Sequence, residues 1–261
     1  MGWNGDWTLK YTGVDAKKFE AIAKIVIPNY LERFEFDAST GTLDCRRSLR
    51  WYSADKDIEK ICSYLGEGDR IQVVIDGETK PLNEFGLSLS REELGEYYDQ
   101  ERYDEIEDEN ERQSYTKTKK GVEVQTPSVD QDRYKSDEFG MKDWFADSLN
   151  TRYQFEPFSN ITDNYFGVVA PAVKGDKELT EIARQFLIET TNGVELHIDQ
   201  EPENYYQIHK ERIDKNREMY KQNQIAMDKF RSELADPKAF SKLVDEYVKD
   251  VTKEPVKNLD K

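Results

Sequence analysis

The chain has 261 residues, more than the roughly 100–200 of an ordinary single domain, so two parts are expected rather than one. Its net charge of −16 repels phosphate backbones at long range, which argues against generic nucleic-acid binding by the whole molecule and favours basic partners. No run approaches the roughly 18 apolar residues needed to cross a bilayer, and neither cysteine, Cys45 or Cys62, belongs to a C-x-x-C pair; a cytoplasmic setting without disulfides, structural zinc or cofactor is the expectation.

Along 7–14, Trp7, Leu9 and Tyr11 alternate with Thr8, Lys10 and Thr12, the period of a half-buried strand. Asp15 reads as an N-cap, and Phe19, Ile22, Ala23, Val26 and Ile27 form a helical stripe that Pro28 ends or kinks. The segments 30–36 and 42–51 flank the small and polar residues 37–41 and are expected to pair as a hairpin. A second helix is predicted over 55–65, with Ile58, Ile61, Cys62 and Leu65 inside, followed by a strand over 70–75. The order β-α-β-β-α-β is the split arrangement of ferredoxin-like domains, assigned to residues 1–90.

Two segments, Leu9-Lys-Tyr-Thr-Gly13 ahead of a helix near Phe19, and Trp51 leading into 55–65 and a strand ending before Gly77-Glu78, resemble the YubB-type ferredoxin-like proteins of plasmids and phages. The resemblance covers about a third of the chain. It implies a fold and a mobile-element setting, with no defined reaction.

Residues 91–112 hold eleven acids and three bases, half of the net charge in 22 residues. Leu94, Tyr97, Tyr98 and Ile106 suit one side of a helix that Gly95 and like-charge crowding weaken. Residues 113–138, with Lys117-Thr-Lys-Lys-Gly121 and Thr126-Pro-Ser128, read as a linker or a loose hairpin, so 91–138 is taken as an acidic segment and linker. Over 139–261 the expectation is a second α/β part: a strand over 165–173, a helix over 176–190, a strand over 194–199, a long helix over 204–234, and a last helix opened by Asp236-Pro237. The whole is predicted to be an α+β protein.

Three constellations bear on function. Strand alternation over 194–199 buries Val194, Leu196 and Ile198 and sends Glu195, His197 and Asp199 to the other face, a ligand set for a divalent metal whose bland reading is a solvated strand face. His209, on the long helix, completes such a site only if that helix folds back. On 45–52, Arg46, Arg50 and Tyr52 share one sheet face, as in single-stranded RNA binding, against the blander pairing with Asp44, Glu35 and Asp37. In the acidic run, Tyr97, Tyr98 and Tyr103 supply interface area while Asp104, Glu105, Glu107, Asp108 and Glu109 supply steering; the bland reading is a solvated spacer. No nucleophile elbow or phosphate loop occurs, and Cys45 and Cys62 read as buried structural thiols. The favoured function is binding without catalysis to a basic protein, in the form of a phage or mobile-element inhibitor that mimics nucleic-acid charge. A metal-dependent enzyme or small-ligand binder at His197 and Asp199, and an RNA-binding module at Arg46 and Arg50, are the alternatives.

Overall fold

A computed structural model of the chain describes residues 5–28, 33–49, 51, 53–76, 111–125, 148–149, 156–198 and 201–251. The chain divides into two units, Met1–Ala23 with Asn29–Glu138, and Lys24–Pro28 with Phe139–Lys261.

In the first unit, β1 (Gly5–Thr12), α1 (Ala16–Val26), β2 (Phe34–Asp37), β3 (Thr42–Leu49), α2 (Ala54–Ser63) and β4 (Arg70–Asp76) follow the predicted order. They are joined by β5 (Glu111–Thr118) and β6 (Gly121–Gln125). The six strands form one antiparallel sheet in the order β2-β3-β1-β4-β5-β6. The alternation read from Trp7, Leu9 and Tyr11 sets the register: Leu9 lies opposite Leu43 on one side and Val73 on the other, and Tyr11 opposite Ile71, which is opposite Tyr115. Period-2 geometry therefore gathers Trp7, Leu9, Tyr11, Leu43, Cys45, Ile71, Val73 and Tyr115 on one face, where all are buried.

Both helices cover that face. Phe19 of α1 stacks on Tyr11, with ring centroids 5.0 Å apart, and α2 carries the buried Ile58, Ile61 and Cys62 of its predicted stripe. Leu9, Ile22, Ile61 and Val73 are each at most 2% exposed, and burying one such side chain stabilises the fold by about 1.5–3 kcal/mol. The hairpin turn after β2 forms as expected: Asp37 Oδ1 accepts from the Ser39 amide at 2.9 Å and the Ser39 hydroxyl at 2.6 Å, bonds that hold the Asp37 carboxyl below its usual range. Gly41 takes the left-handed conformation there, φ 67°.

The stretch Lys117–Gly121, expected as a linker or loose hairpin, is the turn between β5 and β6; Lys119 and Lys120 join strands that pair Thr118 with Gly121 and Ser114 with Gln125. It went unassigned because β5 and β6 are polar in sequence, with Tyr115 as the one fully buried large side chain between them.

The second unit departs further from expectation. The strand predicted over 165–173 is the second half of a helix, α3 (Phe158–Val173). A continuous apolar run is ambiguous between strand and buried helix, and Phe158, Ile161 and Thr162 upstream extend the three- and four-residue spacing that decides for the helix. The helix predicted over 176–190 is α4 (Lys177–Thr191), whose N-cap Asp176 accepts from the amides of Glu178 and Leu179. The strand predicted over 194–199 is extended chain without a ladder through Ile198. Val194 and Leu196 are buried as the alternation required, but Ile198 is exposed. The predicted C-terminal helices are α5 (Glu203–Ala235) and α6 (Pro237–Val251). Among the described residues this unit is therefore helical, and the expected α/β part is corrected on that ground.

Its core centres on Phe166, fully buried and in ring contact with Tyr165, Phe230, Phe240 and Tyr247, the last stacked at 4.8 Å. Two arginines cap helices across the bundle. Arg184 Nη1 on α4 donates to the Leu234 carbonyl at the end of α5, while Arg231 Nη2 on α5 donates to the Thr191 and Val194 carbonyls at the end of α4, each at 2.7 Å. Asn223 of α5 does the same for the start of α3, accepting from the Phe158 amide and donating to the Glu156 carbonyl, both at 2.8 Å.

Candidate functional sites

The acidic run is framed by the sheet. Strands β4 and β5 pair with each other, Val74 opposite Glu111, and the chain between their ends, residues 77–110, holds twelve acids and three bases. Its two ends are thus held on neighbouring strands, about 5 Å apart. The interface residues expected there, Tyr97, Tyr98, Tyr103, Asp104, Glu105, Glu107, Asp108 and Glu109, lie outside the described residues, as do Arg50, Tyr52 and the side chain of Arg46.

On the sheet face opposite the helices, the register aligns Glu35 and Asp44 with Thr8, Asp37 and Thr42 with Lys10, and Arg70 with Thr116 and Glu123. Four carboxylates thus accompany two cations among the described side chains of that face. Asp44 Oδ1 accepts from the Thr8 hydroxyl at 2.6 Å. The aromatic side chains described in the strands, Trp7, Tyr11, Phe34, Phe36 and Tyr115, share the register rows of the helix-covered face, so the bases of a single strand find no stacking platform among them.

His197 and Glu195 are both exposed, with Nε2 and Oε2 3.9 Å apart. Asp199 lies outside the described residues. Two groups pin the intervening backbone to α5: the Tyr220 hydroxyl donates to the Leu196 carbonyl, and Arg231 holds the Val194 carbonyl. His209 sits at a kink in α5, with φ −117° and ψ 23°, its ring 4.4 Å from that of Tyr205. Among the described residues, no three His, Cys, Asp or Glu side chains are placed to hold a metal ion, and no helix is long and apolar enough to cross a membrane. Cys45 and Cys62 are both buried as expected, and burial pushes the Cys62 thiol up to about 11.

Sequence reasoning passed over the buried acids and phenols of the first unit. Asp57, in the first turn of α2, is fully buried. Its Oδ2 accepts from Trp51 Nε1 at 2.7 Å and from the Ser53 hydroxyl at 2.6 Å, while its Oδ1 has no partner among the described residues. Trp51 packs edge-on against Trp7 and Phe34, with centroids 5.3 and 5.7 Å away. Loss of hydration in this aromatic surrounding outweighs the two donors and the Lys56 charge, raising the carboxyl to about 7. The available signal was spacing: Asp57 stands four residues before Ile61 and so falls on the apolar stripe of the helix. Nearby, the Tyr115 hydroxyl donates to Asp55 Oδ1 at 3.2 Å, and burial raises both groups above their ordinary values. The Tyr11 hydroxyl donates to Asp69 Oδ2 at 2.9 Å and accepts from the Asp15 amide; burial first, then the Asp69 carboxylate, lifts this phenol to about 12.

No family model matches the chain, and comparison with curated proteins and with solved structures gives no match.

Proposed function

We propose that the chain is an acidic binding protein that works without catalysis, engaging a basic protein surface through the run at 91–112 in a cytoplasmic setting. In its concrete form it is an inhibitor of a nucleic-acid-binding protein, of the kind phages and mobile elements encode, presenting carboxylates where the natural ligand presents phosphates. The observation that carries this reading is the position of the run: twelve acids enter and leave through the paired strands β4 and β5. A charge cluster tethered at both ends to a folded sheet projects a concentrated field from one place on it. The strand order β2-β3-β1-β4, with α1 and α2 on one face, supports a ferredoxin-like assignment for the part ending at Asp76. That assignment agrees with the resemblance to YubB-type proteins and their mobile-element setting. The acidic balance of the helix-free face favours a protein partner over the RNA-binding alternative at Arg46 and Arg50.

The test uses the full chain to capture basic proteins from lysate at low salt, followed by binding kinetics on the purified partner. The variant Asp104→Asn, Glu105→Gln, Glu107→Gln, Asp108→Asn, Glu109→Gln should slow association about tenfold or more and flatten its salt dependence. Tyr97→Ala with Tyr98→Ala should instead speed dissociation, because aromatic anchors act after encounter. Duplex DNA should compete for the partner. Unchanged kinetics in both variants would make the run a solvated spacer and overturn the proposal.

A further inference from the structure

A carboxyl that is fully buried, bonded through one oxygen only and walled by aromatic rings meets opposite demands in its two protonation states. As a neutral acid it fills its site at the modest cost of one unmet oxygen. As an anion it leaves a charged Oδ1 without a donor in a dry surrounding, a state a protein relieves by pairing the charge or by admitting water. The groups around Asp57 are known from each element that supplies one. Trp7 comes from β1, Phe34 from β2, Trp51 and Ser53 from the connection between β3 and α2, and Lys56 from α2 itself. Lys56 is the cation whose field reaches Asp57, and its own side chain faces solvent, which weakens its hold on a buried charge.

We propose that Asp57 is a proton-operated latch: while neutral it keeps the connection from β3 into α2 closed over the sheet, and once ionised it loosens that connection. Three structural features support the device. Both donors to Asp57 lie in the connection itself, at Trp51 and Ser53, so the carboxyl ties the entry of α2 to its first turn. Trp51 is also the ring that closes over Trp7 and Phe34, so movement of the connection uncovers an aromatic pocket. Finally, the Ser53 hydroxyl serves Asp57 and makes no capping bond to the helix backbone, so nothing else in the cap holds that side chain. The sign follows from the raised carboxyl. Its stabilising contribution is complete below the ordinary Asp value of 3.8 and is lost as pH rises through about 7.

The experiment follows the indole N–H of Trp51 by NMR in the full chain from pH 5 to 9, with acrylamide quenching of tryptophan fluorescence and amide exchange over 54–58 in parallel. The expected result is a resonance that titrates near neutrality, quenching that rises over the same range, and exchange faster than the tenfold per pH unit of unstructured amides. Asp57→Asn should abolish the pH dependence of all three. If that variant fails to fold, the unmodified chain alone decides. A Trp51 resonance that is flat above pH 5 shows an acid ionised well below neutrality and overturns the proposal. A resonance that titrates without change in quenching or exchange shows a buried acid that moves nothing, and equally overturns it.

Discussion

Replacing Asn223 with alanine probes the packing of the helical unit at its most economical point. This side chain is 2% exposed and makes two bonds of 2.8 Å, from the Phe158 amide and to the Glu156 carbonyl. The N-terminal residue of α3, Pro157, supplies no side-chain cap, so Asn223 acts as one from another helix. Truncation leaves the amide of Phe158 buried without an acceptor, at about 1–3 kcal/mol, and removes a half-buried bond contributing about 1 kcal/mol. The expected loss is about 2–4 kcal/mol. Urea unfolding followed by far-UV circular dichroism should register it, since the second unit is helical, and amide exchange should accelerate first over Phe158–Phe166. Fluorescence from Trp7 and Trp51, in the first unit, is the internal control. The neighbouring exposed Gln222→Ala should shift stability by no more than about 0.5 kcal/mol. Equal midpoints for the Asn223 and Gln222 variants would refute the capping argument.

The same logic applies to the arginines that close helix ends. Arg231→Met keeps the aliphatic stem but abandons the Thr191 and Val194 carbonyls, and should cost about 1–3 kcal/mol in chemical denaturation, with faster exchange where 192–198 lies on α5. Arg184→Met should weaken the end of α5 at Leu234 by a similar amount. In the first unit, a Cβ at Gly13 would sit 2.1 Å from the Tyr11 hydroxyl and 2.4 Å from Asp69 Oδ1, two buried and mutually bonded groups. Gly13→Ala should therefore destabilise by about 1–3 kcal/mol. It should also lower the Tyr11 phenol from about 12 toward 10, readable as phenolate absorbance in an alkaline titration.

Local pattern carried the first unit. The alternation Trp7, Leu9, Tyr11, the stripe of Phe19, Ile22 and Ala23, and the stripe of Ile58, Ile61 and Cys62 each state which face is buried, because one face of each element is apolar and the other polar. Once those faces are fixed, the helices have one side of the sheet to cover. The polar hairpin β5-β6 carried no such contrast, and its place in the sheet rests on backbone bonding to β4, which any residue can provide. The run Tyr165–Val173 is apolar on all sides, so it names burial without naming the element; packing around Phe166 against Phe230, Phe240 and Tyr247 decides for helix. The segment 194–198 kept its alternation and lost its ladder, because Arg231 and Tyr220 take carbonyls that a neighbouring strand would otherwise bond. Functional groups divide in the same way. Charge is additive along the chain, so the acidic run was legible from residues 91–112 alone. Its attachment between paired strands was not, nor was the proton-retaining state of Asp57, since both depend on which distant residues the fold brings beside them.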